Sequence, residues 1–430
     1  MASKYVGEKR GSVCLVSSSR IVSSDVNVVE VPTNLQDLSA DDLITSYRVK
    51  RGSLRPRRAK VPASEMKVAL VGNWKMQCGI ATYSENLWPE VARRVKDYKL
   101  FIETNDAPTG PVNVLGGVEI SNEKVVACWK RGEPLTGLVQ AIIDYDPDVV
   151  WFQHEFGIWP HAGHWLSMMS QLSDHRVIVT MHSVFHHRDK TIVEASIPEV
   201  IVHLDGARKV LKEEKGIPGV VHVIPHGCHP ASPERLWNFY KSDHTFLQWG
   251  FGFRYKGWEL SIRAADILRK RYPDAFFTGL FSESPYNRVD HQVYYDELAR
   301  LIDDLDLRKH VAIIRGYQSD ASLDSYMRTN QAIVLPYVSH PDHEVFGVSG
   351  AARLAMSKMA PVITTSVNHF SDVPTLKADT PEQIADALGR MFSDNGAREH
   401  QVSRQLDYLR ENTWSNVAER HVRLFETGQV

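Results

Sequence analysis

Four cysteines in 430 residues are too few for a disulfide framework. Cys14, Cys78, Cys128 and Cys228 form no CxxC pair, so they read as reduced thiols of a cytoplasmic protein. His226-Gly227-Cys228-His229 looks metal-like, but residues so close along a loop rarely converge on one ion, and no metal is expected. No apolar run approaches the roughly 20 residues that span a bilayer. Val13 to Val16 is too short an apolar core for a secretory leader. Net charge is also lacking: 50 basic against 52 acidic residues leave −2, which excludes a whole-molecule field driving the chain onto nucleic acid or membrane. The GxGxxG fingerprint is absent, since Gly72 and Gly79 stand seven apart, and no nicotinamide cofactor is expected.

What is present is uneven. Arg48, Lys50, Arg51, Arg55, Arg57, Arg58 and Lys60 crowd residues 48–60 without an acid. Such a stretch is either a solvated linker or a contact for an anionic surface, a membrane leaflet or nucleic acid. The first 65 residues read as an extension. From Met66 short β-branched or aromatic runs alternate with amphipathic segments: KVALVG (67–72), YKLFIE (98–103), VVWFQ (149–153), RVIVTM (176–181), EVIVH (199–203) and VVHVI (220–224). After Pro230-Ala231-Ser232-Pro233, a hinge candidate, the pattern restarts with TFLQWG (245–250), AFFTGLF (275–281), HVAII (310–314), QAIVL (331–335) and PVITT (361–365). Continuous apolar strands separated by helices specify parallel sheets covered on both faces. The expected architecture is α/β: an extension 1–65, doubly wound Rossmann-like halves at 66–232 and 233–410, and a last helix in 411–430. Ligands of such halves bind at the carboxyl ends of the strands.

Three loops there carry candidate chemistry. HEVFGVSGAARLAMSKMAPVITT (343–365) sets Glu344 before a Phe346-Gly347 turn and a helix starting near Ser349, whose positive end suits an anion. A carboxylate beside an anion site suits a ligand carrying hydroxyls and phosphates together. GFGFRYKGW (250–258) offers Arg254 and Lys256, either a diphosphate grip or a solvated turn. QHEFG (153–157) puts His154 at a strand end, and His182 follows the neighbouring strand; each is either a ligand contact or a structural hydrogen bonder. The aromatic stretch 156–165, with Trp159 and Trp165, either stacks on a ligand or packs. Asp144-Tyr145-Asp146 reads as a helix terminus and turn.

Together, CGIATYSENL after the first strand, DVVWFQHEFGI, IPHG at 224–227, GFRYKGW, EVFG…MAPVITT and the closing TWSNVAERHVRLFE resemble the retaining family-4 glycosyltransferases of the GT-B fold. The resemblance covers nearly all of residues 66–428. It implies a nucleotide diphosphate sugar donor, metal-independent transfer with retention, and a final helix crossing back to the N-terminal half. It places Gly79 near the donor phosphates or sugar, His154 at the reaction centre, Arg254 and Lys256 on the diphosphate, and Glu344 on the transferred sugar. The backbone of Phe346, Gly347 and Val348, with Ser349, meets phosphate or sugar, and Arg315, Gly316 and Tyr317 meet the nucleobase. His182, Trp159 and Trp165 fall on the acceptor side. Two departures stand out: the Arg-to-Lys spacing is short, and the family's second glutamate, on the ribose, is Ala352 here, beside Arg353. The implied acceptor is a glycan or lipid-linked hydroxyl, with peripheral membrane contact through 48–60 in the latter case. The alternatives are a modified DNA base, a GT-B epimerase or hydrolase, and a nucleotide-sugar-binding module without turnover.

Overall fold

The computed structural model describes residues 60–104, 120–188, 190–232, 244–283, 288–339 and 344–430. Most of the basic stretch 48–60 and Pro233 of the candidate hinge lie outside the described residues.

Among the described residues of the first half, strands Lys67–Gly72 (β1), Asp97–Glu103 (β2), Val125–Trp129 (β3), Val149–His154 (β4) and Val177–Met181 (β5) are followed by a short strand, Ser183–Phe185 (β6), outside the main sheet. Glu199–Val202 (β7) and Val220–Val223 (β8) complete a parallel sheet in the order β3-β2-β1-β4-β5-β7-β8. Every residue of β4 and β5 is buried, as the unbroken apolar runs require of central strands covered on both faces. The edge strand β3 escaped the sequence reading because VVACW is short and only half buried, so it lacks that signature.

The second half repeats the design with Thr245–Phe251 (β9), Phe276–Ser282 (β10), Val311–Arg315 (β11) and Ala332–Leu335 (β12). Val345–Gly347 (β13) again leaves the sheet, and Val362–Thr364 (β14) and Leu376–Lys377 (β15) finish it in the order β11-β10-β9-β12-β14-β15. Strand order reverses between β1 and β4 in one half and between β9 and β12 in the other, which opens a crevice at the carboxyl ends there.

Among the described residues, two of the connections between the halves bear on the site. The helix Trp414–Thr427 returns to the first half, where Val417, Leu424 and Phe425 join a buried cluster with Trp88 and Trp151. Arg176, 2% exposed at its side chain, pairs with Glu199 and donates to the carbonyls of Leu424 and Phe425, fixing the last helical turn. The second connection is an antiparallel ribbon in which β6 pairs with β13, Val345 opposite Phe185 and Gly347 opposite Ser183.

After β7 an α-helical turn Asp205–Lys209 widens into a π-helical turn Val210–Glu214. The Lys215 amide bonds back to the Val210 carbonyl at 3.0 Å, the five-residue spacing of a π turn.

Candidate active site

The carboxyl ends of β9, β12 and β14 bring three sequence-distant segments together. Arg254–Lys256 form a 3-10 turn held to β9, because Gln248 Nε2 donates to the Lys256 carbonyl at 2.9 Å while Ser261 holds the Gln248 amide oxygen. The turn ends at Gly257, whose φ of +63° suits glycine. A side chain there would meet the Pro336 carbonyl at 1.9 Å, so the loops after β9 and β12 approach as closely as backbone allows. The Val338 amide then donates to the Tyr255 carbonyl at 2.8 Å.

This geometry separates the two cations. The Lys256 ammonium lies 3.7 Å from the Tyr337 ring centroid and 4.9 Å from that of Tyr255, and no carboxylate pairs with it among the described residues. Arg254 instead forms a bidentate pair with Glu297, at 2.6 and 2.8 Å, and lies over the Tyr294 ring. Among the described residues, then, Arg254 has a carboxylate partner and Lys256 has none.

Glu344 precedes β13. Its Oε1 accepts from Asn368 Nδ2 at 2.7 Å and its Oε2 lies 3.1 Å from His186 Nε2, a residue of the opposite half. Gly347 follows in the ribbon, where an added Cβ would sit 3.1 Å from the His182 carbonyl and 3.7 Å from His369 Nε2. Phe346 turns its ring into the first half, over Gly206, and Val348 packs against the same core. Ser349 caps the helix Gly350–Ser357: its hydroxyl accepts from the Ala352 amide at 3.3 Å and lies 3.2 Å from the Tyr337 hydroxyl. Tyr337 thus lies against both the Lys256 ammonium and the capping hydroxyl of Ser349, and Asn368, next to His369 on the Tyr337 ring, holds Glu344.

Ala352 is fully buried, and Arg353, 1% exposed, points beneath the site. Its guanidinium binds Asp372, the Tyr408 hydroxyl and the Ser349 carbonyl. Arg353 thus steadies the capping turn from below.

On the facing half, Gly79 opens the helix Gly79–Ala92, and a Cβ there would meet nothing within 4 Å. Glu85 in that helix is 3% exposed and accepts the Lys75 amide at 2.7 Å. Burial pushes its carboxyl up to about 7, with the Lys75 amide opposing and Asp320 of the second half adding. His154 is 2% exposed, packed edge-on against Phe156 and Trp165, and burial holds it neutral at about 3. His182 Nε2 lies 2.9 Å from Gln153 Oε1, its pKa also lowered by burial. Tyr83 sits among His182, His203 and His226 at ring separations of 4.8, 5.4 and 5.0 Å. This neutral layer lies under Gly350, where a Cβ would be 3.7 Å from His226 Nε2.

Trp159 and Trp165 are buried at 6% and 1% exposure. Trp159 stacks on Trp129 at 4.5 Å and donates to the Gln153 carbonyl, so the ring faces are used in packing. Arg315 pairs with Glu283 and lies over Tyr295, Gly316 takes φ +111°, and Tyr317 is half exposed beside them at the end of β11. Asp146 caps the helix Thr136–Tyr145 in the left-handed conformation, a terminus and turn. Cys228 is buried, its thiol donating to the Asn412 carbonyl at 2.9 Å, which makes its loop a strap onto the C-terminal segment.

Sequence reasoning missed His186, Asn368, Tyr337 and His369. The histidine run His182, His186, His187 was visible after β5, but nothing local pointed it at Glu344.

No family model matches the chain, and no curated protein matches it in sequence. Solved structures match its fold. HepE of Anabaena in complex with UDP is similar at a TM-score of 0.64 and 12% identity, covering 84% of this chain and 100% of that one. An E. coli trehalose-6-phosphate structure bound with UDP-2-fluoro glucose gives 0.62 and 10%, with 84% and 99% covered. An α,α-trehalose-phosphate synthase (UDP-forming) from Burkholderia xenovorans, in complex with glucose-6-phosphate, gives 0.63 and 13%, with 84% and 100% covered. The fold is GT-B: two Rossmann-like parallel-sheet halves and a final helix that crosses back to the first.

Proposed function

We propose that this chain is a retaining, metal-independent glycosyltransferase that moves a sugar from a nucleotide diphosphate sugar to the hydroxyl of a glycan or lipid-linked acceptor. What supports this reading most is that Glu344, the Lys256 ammonium, which has no carboxylate partner among the described residues, and the capped helix end at Ser349 lie on neighbouring loops of a GT-B fold. Lys256 and the helix amides face the charge that builds on the leaving diphosphate, where one such donor contributes roughly 10²–10³ in rate. Glu344 accepts from the hydroxyls of the transferred sugar and holds its anomeric carbon toward the acceptor. The new glycosidic bond forms on the face the diphosphate leaves, and the acceptor proton passes to the departing phosphate oxygen, so no protein nucleophile is needed. His154 and His182, buried and neutral, act as hydrogen-bonding walls. The structural neighbours holding UDP, UDP-2-fluoro glucose or glucose-6-phosphate support a nucleotide-sugar donor and a sugar acceptor.

The test is to incubate the protein with UDP-glucose and other nucleotide sugars, with and without a panel of glycan, sugar-phosphate and lipid-linked acceptors, in the presence of chelator. Mass spectrometry should find a transferred hexose with the anomeric configuration of the donor. Free sugar or an epimer without acceptor dependence would replace transfer by hydrolysis or epimerisation, and an inverted product would overturn the retaining mechanism.

A further inference from the structure

His186 sits at the end of β6, where the first half pairs with β13 of the second. Its Nδ1 lies 2.6 Å from Glu214 Oε2 and its Nε2 lies 3.1 Å from Glu344 Oε2. A neutral imidazole has one N–H donor and one acceptor nitrogen, and an ionised carboxylate can only accept. Satisfying both contacts therefore requires two N–H groups, which only the imidazolium has. The two carboxylates come from different segments: Glu214 ends the π-helical turn of the first half, and Glu344 immediately precedes β13 of the second. The His186 ring also rests edge-on against Phe346 at 5.5 Å, while the neighbouring His187 and Arg188 turn to the Phe185 ring. Among the described residues, the charged groups hydrogen-bonded to the imidazole are thus both acids.

We propose that His186 is a positioning residue for sugar transfer: as an imidazolium bridging Glu214 and Glu344, it sets the Glu344 carboxylate for the donor sugar and makes that placement depend on pH. The inference rests on the reading of Glu344 as the sugar-orienting carboxylate. Through Asn368 on Oε1 and His186 on Oε2, Glu344 is gripped from both halves, so its carboxylate is oriented only when the ribbon has formed. Glu214 raises the basicity of His186, as a carboxylate behind a histidine does elsewhere.

The sign follows from the direction of the shift. Hydrogen bonds from Glu214 first, then Glu344, raise the His186 pKa above its ordinary value of 6.5. The bridge is therefore intact at and below that ordinary value and is lost as pH climbs through the raised one. His186, Glu214 and Glu344 are 40%, 49% and 53% exposed at their side chains, so solvent screens the bridge and its effect on rate is moderate.

The experiment has two readouts on the full-length protein. First, histidine side-chain NMR follows His186, assigned by its disappearance in His186→Gln. It should titrate above 6.5 in the wild type and at lower pH in Glu214→Gln and in Glu344→Gln. A midpoint at or below 6.5, or one unmoved by both substitutions, overturns the bridge whatever the protein catalyses. Second, kcat/KM is measured from pH 6 to 9. His186→Gln should lower it on the order of tenfold at pH 6.5 and abolish the alkaline fall, as expected for losing a charge-assisted bond at a half-exposed site. His186→Arg keeps a permanent cation and should restore part of the rate without an alkaline limb. Unchanged rate and pH profile in His186→Gln overturn the positioning role even if the NMR bridge is present. If the NMR bridge is present but no donor sugar is transferred by the wild type, the transferase reading fails and the positioning role fails with it, leaving only the bridge.

Discussion

Lys256→Met keeps the length of the side chain and removes its charge, so it isolates the electrostatic contribution of the cation at the proposed donor site. In the free protein Lys256 interacts with the rings of Tyr337 and Tyr255, which is worth about 0.5–2 kcal/mol of folding stability. Methionine retains packing on the same rings, and releasing a partly desolvated ammonium offsets part of the loss, so the folded state should weaken by under about 1 kcal/mol. The cost in the transition state is larger. A cation about 4 Å from a phosphate oxygen, at an effective dielectric near 20, contributes about 4 kcal/mol. Loss of one preorganised donor at a developing oxyanion costs about 2.7–4 kcal/mol, so kcat/KM should fall by roughly 10²–10³. Calorimetric titration should show weaker binding of the nucleoside diphosphate, and thermal unfolding should shift by only a few degrees. A variant within threefold of wild-type kcat/KM, binding UDP equally well, would refute the placement of the leaving group beside Lys256.

Glu344→Ala should abolish transfer while circular dichroism and thermal unfolding stay close to wild type, because the carboxylate is half exposed and outside the core; near-normal turnover by the folded variant would refute its role. Arg176→Met removes a buried cation that pairs with Glu199 and holds the last turn of the helix Trp414–Thr427, and denaturant titration should show a loss of about 3–5 kcal/mol. Burial raises Glu85 to about 7, so the folded state binds the extra proton between the unfolded carboxyl pKa and pH 7, and stability falls as pH rises through that window. Glu85→Gln should remove this slope and stabilise the protein at pH 8 by up to about 3 kcal/mol, and identical urea midpoints for the two proteins from pH 5 to 8 would contradict it.

The local sequence determined the elements because their causes are local. Unbroken apolar runs at 149–153, 176–181 and 331–335 can satisfy their side chains only inside a covered parallel sheet, and they became β4, β5 and β12. Ser349 was readable as a helix start since a hydroxyl three residues before an unpaired amide caps it wherever the helix lies. The last helix was readable as well, and its Val417, Leu424 and Phe425 pack on the first half. The tight turn at Gly257 was also written locally, although the Pro336 carbonyl that makes glycine obligatory there belongs to a different strand end.

Tertiary structure decided the rest, where a side chain's role depends on which distant group it meets. Arg254 and Lys256 look equivalent in GFRYKGW, yet Glu297 captures one and tyrosine rings the other, because a long flexible cation follows its nearest partner. Trp159 and Trp165 offered a platform in sequence and turned inward, since burying a ring of that size outweighs displaying it. The β6–β13 ribbon pairs strands more than 150 residues apart whose three-residue lengths leave no periodic trace. Only the docking of both halves brings His186 to Glu344, and with it a contact that ties the carboxylate of the second half to the first.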